Sequence, residues 1–393
     1  MKIHTQIFLA MLLGIVSGLV FREQIEAISF IGTIFIKLIK MIIVPLIVTS
    51  LILGIVSLGN ISELGKIGIK TFVLYLGTTL IAIIIGLILA NIIHPGAGVH
   101  LGAPIKTQSL PTVDIKDTLM GMLPENPLKA MVEVDIVPVI VFALIFGLAL
   151  TAIGKQATGP LINILEIIYA ATLKITDWVM KLAPYGVFAL MAVIVGTSGP
   201  DIFVSLGKYI FVVLSGLILQ VFIVYLFLLV VIAKVNPFKF FNAILEAIMV
   251  AFSTASSSAT LPISMFCLEK NMGISNRITG FVLPLGATMN MDGTALYEAA
   301  AALFIAQAYG ITLGLDQQIL IVITACLASI GAAGIPSAGL VTMTMVLSAV
   351  GLPLEGIGMI LAVDRILDMC RTSINVIGDT VIATVIAKSE KIT

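Results

Sequence analysis

The chain has 393 residues, 60% of them hydrophobic and only 11% charged, with a mean hydropathy of +1.19. Water-soluble domains carry about a quarter charged residues, so this composition excludes an ordinary soluble protein and makes lipid the fitting solvent. The 21 basic residues balance the 21 acidic ones, and no global field argues for a nucleic acid partner.

A helix needs about 20 apolar residues to cross the hydrocarbon core. The predicted spans are 5–21, 27–59, 68–93, 135–153, 161–195 and 203–233. The first lacks a small-residue cleavage site and leads straight into the second, so it reads as a span rather than a signal peptide. The second and fifth are long enough to tilt or bend, with Pro45 and Pro184 as bend points. Lys37 and Lys40 inside the second are expected to snorkel or to face protein. Cys267, Cys326 and Cys370 lie in apolar segments without metal spacing and read as free thiols.

Loop charges set the orientation. Lys2, Lys66, Lys70, Lys155, Lys234, Lys239, Lys270, Arg277, Lys388 and Lys391 fall at alternate span ends. Lysine and arginine favour the cytoplasm, which predicts both termini inside and the 94–135 stretch outside.

After residue 236 the apolar runs shorten. Residues 238–268 form two arms of about a dozen residues, roughly half a bilayer each, joined by Ser253 to Thr260. Lysines flank both ends, which predicts a re-entrant hairpin from the cytoplasm. A second such unit, 317–350, turns at Gly331 to Gly339 between Asp316 and Glu355 and enters from outside. Each is followed by a polar helix, 277–309 and 355–387. Hairpin then polar helix, twice and from opposite faces, is the pattern of an inverted repeat with its site near the midplane.

On the last helix, Asp364, Asp368, Arg371, Thr372, Asn375 and Asp379 fall within an arc of roughly 100°. Asp292, Glu298 and the three aspartates outnumber Arg365 and Arg371 by three. Bare carboxylates are costly in low dielectric, so protons or bound cations must compensate them. Arg371 matches the fork of a carboxylate, an aspartate suits an amine, and hairpin-tip amides suit a second carboxylate. Together they describe an acidic amino acid. Asn290-Met291-Asp292-Gly293-Thr294 places hard oxygens at mid-membrane, as a sodium site requires. Glu298 lies four residues after Thr294, so it shares that helix face and is expected to carry a proton. A channel and an intramembrane enzyme are the rival classes. His4, His94 and His100 lie at span ends or outside, and no Ser–His or Ser–Lys pair is visible in the core, so no enzyme is expected.

At Ser256 to Pro262, Asn290 to Thr294, Gly331 to Gly339 and Asp364 to Asp379, the sequence resembles the glutamate/aspartate transporter family, the dicarboxylate/amino acid:cation symporters. The resemblance covers essentially the whole chain. It implies an all-α polytopic membrane protein with eight transmembrane helices, two re-entrant hairpins, inverted repeats and a homotrimer in the cell membrane. It implies a scaffold (1–67 and 94–200) holding a transport domain (68–93 and 201–393) that moves as an elevator. By motif, Arg371 looks like the binder of the substrate side-chain carboxylate and Asp368 the partner of its amine. Asn375, Thr294, Ser257 and Ser258 would hold the rest, and Gly334 to Gly339 would form the outer gate. For sodium, the resemblance implies one site from Gly286, Asn290, Asn375 and Asp379 and a second from Thr288, Ser329 and Ile330. A third would use Tyr75, Thr78 and Thr79 with Asn290 and Asp292.

Two positions depart from the archaeal pattern. Ala255 stands where those relatives have arginine, and Arg365 is expected to supply that charge. Glu298 stands where they have glutamine, as in animal glutamate transporters. Asp368 is absent from relatives that carry C4-dicarboxylates, and Arg371 from those that take neutral amino acids, so both favour an acidic amino acid here.

Overall fold

A computed structural model describes residues 3–57, 66–98, 120, 123–134, 136–198, 202–331 and 338–390. Most of the 94–135 stretch and residues 332–337 of the expected outer gate lie outside the described residues.

The helices in chain order are α1 (Ile3–Phe21), α2 (Ser29–Ser57), α3 (Lys66–Ile93), α4 (Pro127–Glu133), α5 (Ile136–Ile153) and α6 (Lys155–Lys181). There follow α7 (Ala183–Ser198), α8 (Ile202–Leu219), α9 (Pro237–Thr254) and α10 (Ser257–Phe266). The chain ends in α11 (Asn276–Met289), α12 (Asp292–Ala308), α13 (Leu315–Gly331), α14 (Ala338–Ala349) and α15 (Ile357–Ser389). Among the described residues, four helical stretches are long and apolar enough to cross a membrane: Ile67–Ile93, Gln156–Thr176, Phe203–Ile232 and Val363–Ser389. Large apolar side chains such as Phe211, Phe222 and Val230 stand exposed on the outside, as lipid-facing residues do.

The expected single span 161–195 is two helices. α6 ends at Lys181 and α7 begins at Ala183. Pro184 has no N–H to continue the ladder, and it sits in the first turn of α7, where that group is not needed. α2, in contrast, runs unbroken through Pro45, and Lys37 on it is exposed.

Two groups of helices result. α1 packs along α7, and α2 packs on α5, α6 and α7. α3 packs on α8, α12 and α13, while α15 packs on α8 to α12. α12 lies at the centre of the second group. Its alanine run, including Ala299, Ala300, Ala301 and Ala302, is fully buried, and small side chains let neighbouring backbones approach closely.

Residues 238–268 form α9 and α10, which pack on each other. The first arm is longer than the dozen residues expected, because Asn236 starts it early. The Asn236 Oδ1 accepts the Phe238 N–H at 2.9 Å, and Pro237 takes the first helical position. The turn follows from two local choices. Ala255 adopts a left-handed conformation (φ 51°), and the Ser256 Oγ accepts the Ala259 N–H at 3.2 Å, capping α10. At the root of this pair Glu269 accepts from Thr279 Oγ1 (2.5 Å) and Asn276 Nδ2 (2.9 Å), tying it to α11. These two donors hold the Glu269 carboxyl below the usual carboxylate range. α13 and α14 pack on each other as a second pair.

Candidate substrate and cation site

The expected polar helix 277–309 is broken. α11 stops at Met289, and Asn290 and Met291 leave helical geometry before α12 resumes at Asp292. The facing stretch of α15 carries Asp364, Asp368, Arg371, Thr372, Asn375 and Asp379, and all six are buried. The two elements meet side chain to side chain. Asn375 Oδ1 accepts the Gly293 N–H at 2.8 Å, and its Nδ2 lies 3.4 Å from Thr294 Oγ1. Asn290 Nδ2 donates to Asp379 Oδ1 at 2.9 Å.

Arg371 is fully buried. Its Nη2 donates to Asp364 Oδ1 (3.0 Å) and Asp368 Oδ1 (2.9 Å). The guanidinium lies over the Tyr297 ring, 3.6 Å from its centroid, and the Tyr297 hydroxyl donates to Asp364 at 2.7 Å. The Nε and Nη1 groups of Arg371 are buried without a hydrogen-bond partner among the described residues. Gly339, at the start of α14, is the neighbour on that side. A Cβ there would lie 3.1 Å from Arg371 Nη1 and 3.2 Å from Thr294 Cγ2. Arg371, Thr294, Asn375 and Gly339 therefore surround one point. Arg365 is partly exposed and reaches Asp368 Oδ2 at 3.8 Å. Ser257 is buried and Ser258 exposed in the first turn of α10, where helical N–H groups lack intrahelical partners.

A second cluster lies beside it. Asp292 Oδ1 accepts from Thr79 Oγ1 at 2.6 Å, and Thr78 Oγ1 stands 3.4 Å from Asn290 Oδ1. The Tyr75 hydroxyl donates to Val282 O at 2.9 Å. Gly286 packs against both Asp379 Oδ1 and the Tyr75 hydroxyl, so closely that a Cβ has no room. The Gly286 carbonyl also accepts the Asn290 N–H at 2.8 Å. Carboxylate, amide, hydroxyl and carbonyl oxygens converging in a buried place are the donor set of a hard cation. Tyr75 and Thr79 also line a narrow cavity with Met289, Ser329 and Ile330. Thr288 is exposed, with its hydroxyl donating to Leu285 O at 3.0 Å.

Sequence reasoning missed three participants: Tyr297 under Arg371, and Gln220 and Tyr225, which donate to Asp292 Oδ2 at 3.0 and 2.8 Å. Glu298 is fully buried, and neither carboxylate oxygen makes a well-formed hydrogen bond. Its polar neighbours are Thr342 on α14 and Arg371.

Among the described residues the chain is helical throughout, and a lipid-type exterior around a charged, buried centre defines a polytopic membrane transport protein. The sequence profile of the sodium:dicarboxylate symporter family matches residues 3–389, and the chain belongs to that family. The proton/sodium-glutamate symport protein of Geobacillus stearothermophilus is 37% identical, over 98% of this chain and 94% of its own. Excitatory amino acid transporter 3 of Homo sapiens is 37% identical, over 97% of this chain and 84% of its own. The proton/glutamate-aspartate symporter of Escherichia coli (strain K12) is 36% identical, over 98% and 92% respectively.

Proposed function

We propose that this protein takes up an acidic amino acid, glutamate or aspartate, together with sodium, as a secondary active symporter. The observation that carries this reading is Arg371. It is a buried guanidinium that spends one nitrogen on two aspartates and leaves Nη1 unpaired beside Gly339 and Thr294. A buried Nη1 with N–H donors left over needs an acceptor, and a substrate side-chain carboxylate oxygen supplies a charge-assisted one. Asp368 holds the amine, Asn375 and Thr294 the backbone end, and the first turn of α10 with Ser257 and Ser258 the α-carboxylate.

Sodium binds at Asp292, Asn290, Thr78, Thr79 and Tyr75, at Asp379, Asn375, Asn290 and Gly286, and at Thr288, Ser329 and Ile330. Five buried carboxylates, Asp292, Glu298, Asp364, Asp368 and Asp379, face one buried arginine, Arg371, and the partly exposed Arg365, and this excess supports cation coupling. The names of the Geobacillus and human relatives support the substrate. The two hairpins enter from opposite sides as parts of an inverted repeat, both termini are cytoplasmic, and residues 68–93 with 201–393 move as an elevator against the remainder within a homotrimer. The packing of α3 on α8, α12 and α13, and of α15 on α8 to α12, supports that division.

Glu298 favours a second reading, in which a proton is the coupling ion, alone or beside sodium. A carboxylate without a well-formed hydrogen bond is costly in low dielectric, and a proton removes that cost. The test is uptake of labelled aspartate, glutamate and succinate into proteoliposomes, with sodium, proton and potassium gradients imposed separately. Accumulation of the amino acids with a sodium gradient is expected. Accumulation with a proton gradient alone would replace sodium by the proton, and uptake of succinate without either amino acid would overturn the substrate.

A further inference from the structure

We infer that Gln220 and Tyr225, brought to one face by a π-helical segment of the sixth long apolar stretch, are positioning residues that aim the Asp292 carboxylate at a coupling cation. The inference rests on the proposed sodium site at Asp292.

α8 ends at Leu219, and the chain continues as a π-helix over Gln220–Tyr225. In an α-helix, residues five apart stand about 140° apart around the axis. In a π turn, closed by i→i+5 hydrogen bonds and wider at about 4.4 residues, they stand about 50° apart. The local change of pitch therefore turns Gln220 and Tyr225 to the same side. Both are fully buried, and both donate to the same oxygen, Asp292 Oδ2, at 3.0 and 2.8 Å. A regular α-helix through this segment would deliver one of them and turn the other away. A second π segment, Leu228–Ile232, carries no polar side chain.

The consequence falls on the other carboxylate oxygen. A carboxylate oxygen has two lone-pair sites. Gln220 and Tyr225 fill those of Oδ2, while Oδ1 takes the Thr79 hydroxyl at 2.6 Å. That leaves one acceptor position on Oδ1, on the side of the carboxylate that carries Thr79. Gln220 also donates to Thr78 O at 3.1 Å, fixing α3 to the same arrangement. The Tyr225 hydroxyl also lies near α15, 3.3 Å from Ile374 O. The Gln220 Oε1 is buried without a hydrogen-bond partner among the described residues. A buried acceptor left unpaired is destabilising, so the contribution of Gln220 lies in what its Nε2 holds rather than in local packing.

The test uses the purified full-length protein and the variants Tyr225→Phe, Gln220→Met and the double variant. Sodium titrations are read as the shift in melting temperature and as labelled aspartate binding at stepped sodium. Removing a donor from a charged acceptor should raise the half-saturating sodium concentration about ten-fold in each single variant. Aspartate affinity at saturating sodium should stay within about two-fold, because the Arg371 cluster is left intact. The preference for sodium over lithium should also weaken, since a loosely held carboxylate adapts to ion size. Tyr225→Phe removes a single oxygen and keeps the ring, so it tests the inference even if Gln220→Met folds poorly. A melting temperature lowered equally with and without sodium, at unchanged half-saturation, would overturn the positioning role while leaving the sodium site standing. A wild type indifferent to sodium would overturn the site itself and the inference with it.

Discussion

Arg371 and Tyr297 share one partner: the guanidinium lies over the aromatic ring, 3.6 Å from its centroid, and both side chains donate to Asp364 Oδ1, at 3.0 and 2.7 Å. The ring face and the carboxylate fix the plane of the guanidinium, so its unpaired Nη1 is aimed by α12 as much as by α15. The two halves of this contact separate by mutation. Tyr297→Phe keeps the ring and loses the hydroxyl, and should weaken acidic substrate binding only a few-fold. Tyr297→Leu also loses a desolvated cation–π contact of about 2 kcal/mol and should weaken it more than ten-fold. Equal affinities in the two variants, measured by calorimetry at saturating sodium, would remove the ring from the account.

Arg371→Thr removes the carboxylate fork altogether. Leaving the partner charge unpaired is worth about 2–5 kcal/mol, so aspartate and glutamate binding should fall at least thirty-fold or so. Serine or alanine uptake should appear, since the remaining groups recognise the amine and the α-carboxylate. Aspartate affinity equal to that of the wild type would sink the assignment of Arg371.

Much of this site is legible in sequence because its residues sit on one helix with helical spacing. Asp364 to Asp379 form a charged stripe that no apolar helix carries by chance, and the structure buries all of it. The break at Asn290 and Met291 is signalled by its composition and by its place in an apolar run. Gln220 and Tyr225 escape for a physical reason. Projected at 100° per residue they point different ways, and their partner Asp292 is distant in sequence. The π turn that unites them leaves no residue-type signal. Tyr297 escapes because an aromatic side chain in an apolar helix reads as packing. The split of 161–195 into α6 and α7 was signalled by Pro184, but in an apolar run a proline marks a bend or a break with equal force.

The cation cluster should respond at Asp379 and Gly286. Asp379→Asn keeps the shape and removes the charge that Asn290 and its surroundings hold, so substrate binding should weaken and depend less steeply on sodium. Gly286→Ala should have a similar effect by a steric route, because its Cβ would collide with both Asp379 Oδ1 and the Tyr75 hydroxyl. Unchanged sodium dependence in both variants, read from aspartate binding at stepped sodium, would place the ion elsewhere.

Glu298 provides the last prediction. It lies on the buried face of α12, one residue from Tyr297, with Thr342 of α14 and the Arg371 charge as polar neighbours. Glu298→Gln keeps the size and polarity of the side chain and removes its ability to exchange a proton. If Glu298 carries a proton through the cycle, wild-type turnover at saturating sodium should change with pH, because loading and release are tied to that exchange. The variant should lose most of this dependence while still binding aspartate, since Arg371 and its aspartates remain. The measurement is uptake by both proteins from acidic to alkaline pH, with the internal pH clamped. Superimposable profiles would make Glu298 a structural residue and remove the basis for proton coupling through it.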